Sequence, residues 1–160
     1  IGDDVVHLAS WVAGEIPDLS AITALSGSAT YNGHVSATVK EISGSTTNIF
    51  TELANWSYTF NFDSPSSSSG TISAFDSGSY TIDGATLSST DDPDTTSVTE
   101  TRNTFSGSLT GASGDAVGRS GSFLGSFIQN GSSNPNAGMG GHLKVSGTKY
   151  SASGVLVAQK

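Results

Sequence analysis

Asn55-Trp56-Ser57-Tyr58-Thr59-Phe60-Asn61-Phe62-Asp63 alternates without a break, with Trp56, Tyr58, Phe60 and Phe62 on one side and Asn55, Ser57, Thr59 and Asn61 on the other. Successive side chains of a strand point to opposite faces, so this stretch reads as a β-strand with one aromatic and one wet face. Gly27 to Lys40 repeats the pattern: Ala29, Tyr31, Gly33, Val35, Ala37 and Val39 are apolar or small, whereas Thr30, Asn32, His34, Ser36, Thr38 and Lys40 are polar. Strands with one wet face belong to antiparallel sheets.

The same period continues to the C-terminus. Further strand candidates are Thr71 to Phe75, Ser79 to Leu87, Ser97 to Leu109, Gly118 to Gln129, Gly141 to Ser146 and Lys149 to Ala158. With the first two, the total is about eight, a number that suits a small barrel. The separators are turn chemistry: Ser64–Gly70, Asp76–Gly78, the acidic Asp91–Asp94 around Pro93, Gly111–Asp115, Asn130–Gly140 and Gly147. Gly121, Phe123, Gly125 and Phe127 share one face, and the missing side chains permit curvature or close approach of a neighbour. Closure into a barrel also removes the exposed sheet edges that so β-rich a chain must otherwise protect. The expectation is an all-β fold, a small up-and-down antiparallel β-barrel with a short N-terminal helix. Its interior is filled by Tyr31, Val35, Val39, Trp56, Tyr58, Phe60, Phe62, Phe105, Leu109, Phe123, Phe127, Leu143 and Val145.

Before the strands, residues 3–13 read as the helix: Asp3 or Asp4 caps it, Val5, Leu8, Ala9 and Val12 recur at helical spacing, and Gly14 followed by Pro17 ends it. The organisation is therefore an N-terminal helix and connecting segment, residues 1–25, followed by a barrel domain, residues 26–160. Trp11, Val12, Ile16, Ile22 and Leu25 are more apolar surface than an isolated tail should expose. The segment either packs on its own barrel or reaches a neighbour, and Trp11, Val12, Ile16 and Ile22 are the candidate assembly contacts. A heterologous contact of that kind that fails to close would make filaments.

Composition bounds the function. The 160 residues fit one domain, and 20 glycines with about 30 serines and about 18 threonines argue against a helical bundle. Six Lys and Arg against 14 Asp and Glu give a net charge of −8, and no basic stretch is present to neutralise a phosphate backbone, so nucleic acid is not an expected partner. No run of 18 apolar residues spans a bilayer, so no membrane insertion is expected. The absence of cysteine excludes disulfide frameworks, Cys-based zinc sites and thiol nucleophiles. An acidic, cysteine-free, Ser/Thr/Gly-rich chain with few lysines points outside a bacterial cytoplasm. The chain begins at Ile1, which is expected of a cleaved signal peptide or of a segment cut from a longer protein.

Candidate site residues are few. His7, His34 and His142 are the only imidazoles, so a metal or haem site would draw on them, with Met139 as a further soft ligand. His34 and His142 fall on the polar faces of their strands, where a histidine is ordinarily just solvated. Asp91–Asp94 lacks the alternating acids and glycine of an EF-hand loop. No Gly-x-Ser-x-Gly elbow, dinucleotide fingerprint or Walker lysine occurs, and carboxylates are scarce within the strands, so no enzyme activity and no cofactor is expected.

Gly27-Ser-Ala-Thr-Tyr-Asn-Gly33, Gly121-Ser-Phe-Leu-Gly-Ser-Phe127, Ala137-Gly-Met-Gly-Gly-His-Leu143 and Gly147-Thr-Lys-Tyr-Ser-Ala-Ser-Gly154 follow one another in the chain. In that order they resemble the β-barrel domains of transferrin-binding protein B and related bacterial surface solute-binding barrels, over residues 26–158. Trp11-Val-Ala-Gly14 resembles the lead-in to some of these barrels. The pattern departs from the family at Leu124 and Ser126, which replace its Tyr and Pro, and in the lack of a Glu before Gly140-Gly141. The resemblance implies an eight-stranded scaffold and a cell-surface or extracellular habit, with the ligand left open. The expected function is a non-catalytic extracellular or cell-surface module acting in interaction, adhesion or self-assembly, with a protein partner or a second copy. The alternative is a barrel that binds a small solute or haem.

Overall fold

The computed structural model describes residues 13–91 and 101–160. Eight strands follow in order: β1 (Ser28–Ser43), β2 (Thr46–Asn61), β3 (Ser69–Phe75), β4 (Gly78–Asp91), β5 (Thr101–Gly114), β6 (Ser120–Ile128), β7 (Gly138–Gly147) and β8 (Tyr150–Gln159). Each pairs antiparallel with the next, and β8 pairs back onto β1 from Asn32↔Gln159 to Glu41↔Tyr150, which closes an up-and-down barrel. This is the fold that the alternation predicts.

Alternation decides what fills the barrel. In β2 the burial switches residue by residue from Ala54 onward, with Ala54, Trp56, Tyr58 and Phe60 buried and Asn55 exposed between the first two. All of the expected core residues are buried except Phe62, which is only partly buried and packs on the core from its edge. The rings meet edge to face: Phe60 and Phe127 have centroids 4.9 Å apart at 89°, and Trp56 and Phe123 5.4 Å apart at 81°. Such pairs add about 0.5–1.5 kcal/mol each beyond their buried area. Room for the rings comes from glycine. A Cβ on Gly125 would lie 2.6 Å from the Gly140 carbonyl oxygen and 2.8 Å from the Phe105 ring, so the close approach expected on that face is present.

Two details depart from the sequence expectation, and other parts of it lie outside the described residues. The helix expected over residues 3–13 lies outside the described residues, apart from Ala13, which has no regular structure. Among the described residues, the α-helix is α1 (Leu19–Thr23), which falls in the stretch expected as a connection. β1 and β2 each extend beyond the alternating stretches to meet at Ser43↔Thr46, and β5 runs on to Gly114 through most of the expected turn Gly111–Asp115. Residues 97–100, expected to open the fifth strand, and 92–94 of the acidic segment lie outside the described residues.

Candidate functional site

Both ends of the barrel are built from long-range contacts. At one end the segment before β1 lies against β5, where Asp18 forms a bridge to Arg102 and the Arg102 Nη1 donates to the Ile16 carbonyl oxygen at 3.1 Å. Asn103, fully buried, ties the segment to the barrel: its Nδ2 donates to the Pro17 carbonyl oxygen and its Oδ1 accepts the Phe127 N–H, each at 2.8 Å. α1 then delivers Ile22 into the core. Ile16 is partly buried and Ile22 fully buried on their own chain, whereas Trp11 and Val12 lie outside the described residues, as does His7.

At the other end, β3 turns inward. Ala74, Asp76 and Ser77 all adopt positive φ, at 55°, 49° and 59°, and this left-handed path swings Phe75 into the core. Asp76 Oδ2 then accepts Arg119 Nη1 at 2.9 Å, and the Arg119 guanidinium stacks 3.5 Å from the centroid of Tyr150. Burial alone would lower the Arg119 pKa, but the neighbouring Tyr80 hydroxyl and Asp76 carboxylate raise it and hold the charge. Burial pushes the Tyr80 and Tyr150 phenols up, so both stay protonated beside the ion pair. Sequence reasoning missed this cluster, because Asp76 and Arg119 stand 43 residues apart in chemically unremarked turns.

Of the candidate ligands, Met139 is fully buried inside the barrel, while His34 and His142 are exposed on its outer face. His34 faces Val157 and His142 faces Val155, so β8 separates the two imidazoles, and the barrel wall separates both from the Met139 thioether. The fold does not bring the three together. Among the described residues, no group of three or more His, Asp or Glu side chains is placed to hold a metal ion.

What the fold does assemble is a continuous outer face across β6, β7, β8, β1 and β2. One row across the strands reads Leu124, His142, Val155, Ser36 and Leu53. Leu124, Leu53, Ile49 and Val157 are 42%, 70%, 67% and 50% exposed. None of the outward positions of these five strands carries a carboxylate, although the chain bears a net charge of −8. A concavity of about 690 Å³ opens on this face, lined by Thr38, Lys40, Ile49, Lys144, Ser151 and Ser153 among others. Such a face offers ammonium groups, hydroxyls and exposed aliphatic side chains.

Neither a protein-family model nor a curated protein matches this chain. Among solved structures it is similar to the haemoglobin-bound HpuA from Kingella denitrificans, titled "The crystal structure of HpuA from Kingella denitrificans in complex with human haemoglobin". The identity is 15% and the TM-score 0.41, over 84% of this chain and 43% of that one, so this chain spans less than half of that protein's length. At that level the likeness is a coarse one and carries no argument about a ligand.

Proposed function

We propose that this chain is a non-catalytic interaction module, extracellular or at a bacterial cell surface, that binds a protein partner or a second copy through the outside of its barrel. The observation that supports this reading is the division of side chains between inside and outside. Aromatic rings and aliphatic side chains fill the lumen. Of the large exposed aliphatic residues among the described ones, Leu53, Ile49, Val157 and Leu124 share one outer face that is free of carboxylates, and only Val117, in the turn between β5 and β6, lies elsewhere. Exposed apolar groups gathered on one face mark an interaction surface more often than a ligand cavity does in so filled a barrel. The remaining outward positions carry mainly hydroxyl, amide and charged side chains, the reverse of the apolar band that a lipid-facing barrel presents.

Native mass spectrometry of the protein drawn from its own source tests the reading. Masses that contain a second copy or another polypeptide are expected. A monomer carrying a small extra mass, or one that develops a Soret band on titration with hemin, would overturn it in favour of a solute- or haem-binding barrel.

A further inference from the structure

Among the described residues, closure of the barrel leaves a long edge of β2 bare. β2 pairs with β1 along its whole length, from Ser43↔Thr46 to Ser28↔Asn61, but β3 covers only Asn55 to Thr59 on the other side. The direction of each backbone group follows from two bonds. Phe62 N–H donates to the Gly27 carbonyl oxygen on the β1 side, and Asn61 N–H donates to the Ser68 hydroxyl on the opposite side. Peptide groups of a strand point alternately to its two neighbours. The N–H and C=O groups of Thr47, Ile49, Thr51 and Leu53 therefore project away from β1, and among the described residues no strand pairs with them. All four residues are exposed, with Leu53 at 70% and Ile49 at 67%.

The edge carries no guard of its own. Residues 46–54 contain no proline, no lysine and no bulge, the usual devices against strand addition. Glu52 is the only charge, and its carboxylate is turned to the Asp76 N–H at 3.2 Å. β3, which would otherwise continue along the edge, leaves it where Ala74 enters the left-handed region. At the opposite end of the barrel, by contrast, the chain covers its own β5 edge with the Asp18–Arg102 bridge.

We infer that this edge pairs with the same edge of a second copy, antiparallel about a two-fold axis at Phe50, to give one sheet that runs through two barrels. The occupant follows from the segment's self-complementarity. With Phe50 opposite Phe50, all four bare residues find partners: Thr47 faces Leu53 and Ile49 faces Thr51, each in both directions. Every aliphatic side chain on the outer face then lies beside a threonine methyl, as cross-strand pairing favours. On the other face Asn48 meets Glu52, so the single carboxylate faces an amide and no like charges oppose. A contact of this kind is isologous and closes at two copies, without propagating into a filament. The inference rests on the interaction reading above and names its partner.

Sedimentation velocity of the full chain over a range of concentrations tests it, with a doubling of the 16.1 kDa mass expected as concentration rises. Thr51→Pro should abolish the dimer. The Thr51 N–H serves no bond to β1, so proline there removes a donor only from the partner's ladder. Leu53→Lys, which leaves the backbone untouched, should weaken the dimer by at least tenfold. The register has its own readout in a chain without cysteine. Phe50→Cys should oxidise to a covalent dimer, because residues facing each other in a non-hydrogen-bonded pair have Cα atoms about 4.5 Å apart. Leu53→Cys, far from the axis, should not. A chain that stays monomeric at every concentration overturns the inference, and if its native complex still holds another polypeptide, the interaction reading survives it. Undiminished dimerisation of Thr51→Pro and Leu53→Lys also overturns it, by moving the contact off this edge.

Discussion

Tyr58 is fully buried, and its hydroxyl donates to the Gly84 carbonyl oxygen at 2.9 Å. Burial pushes its phenol up from 10.0 to about 12. Tyr31, Tyr80 and Tyr150 are raised in the same direction, chiefly by burial, so all four tyrosines of the chain behave alike. A proton held more tightly in the folded than in the unfolded chain leaves stability intact below the unfolded pKa and removes it as pH rises through the folded one. For Tyr58 the rise to about 12 corresponds to about 2–3 kcal/mol, lost between about pH 10 and pH 12. Urea denaturation should show a level midpoint up to about pH 10 and a falling one above it, with tyrosinate absorbance appearing only as the chain unfolds. Tyrosinate formed in a still-folded barrel would contradict this. These tyrosines were partly legible in the sequence, since Tyr31 and Tyr58 sit at alternating apolar positions. The partners of Tyr80 and Tyr150 were not: Arg119 reaches Asp76 across 43 residues, and no local pattern records such a distance.

At the scale of elements, the legible strands are those whose two faces differ. Ala54 to Phe60 alternates between buried and less buried positions and reads at once as a strand. Residues 46–53 of the same strand are exposed or only partly buried on both faces, so no alternation marks them, and this half of β2 had no signal beyond its β-branched and aromatic side chains. α1 is equally opaque. Its five residues bury only Ile22, and Asp18 at its N-cap makes no side-chain capping bond, so tertiary packing and not a helical repeat holds it. Asn103 is the clamp for this segment. Asn103→Ala leaves the Pro17 carbonyl and the buried Phe127 N–H without partners, at a cost of about 1–3 kcal/mol for each group left unsatisfied. The expected result is a lower denaturant midpoint with an unchanged β-sheet circular dichroism signal. A midpoint equal to that of the unsubstituted chain would show that the segment docks without the clamp.

At the scale of the whole molecule, the barrel is closed by a seam between the first and last strands. β1 and β8 pair from Asn32↔Gln159 to Glu41↔Tyr150, whereas every other neighbouring pair is consecutive in the chain. Joining the seam costs the loop-closure entropy of nearly the full chain, so hairpins such as β7–β8 form before it. All-β topologies dominated by non-local pairing refold in about milliseconds to seconds, and refolding on that scale is expected here. The seam is also tightly fitted. A Cβ on Gly154 would lie 2.6 Å from the Cβ of Ala37 on β1, so Gly154→Ala forces the two strands apart. Overpacking of this kind costs about 1–3 kcal/mol. If the seam closes after the rate-limiting step, that cost falls on the unfolding rate, and a loss of about 2 kcal/mol speeds unfolding about thirtyfold while refolding hardly changes. Stopped-flow chevrons of the two chains separate the cases. A refolding arm slowed in proportion to the lost stability would place the β1–β8 seam in the folding nucleus, and the order argued from chain entropy would then be reversed.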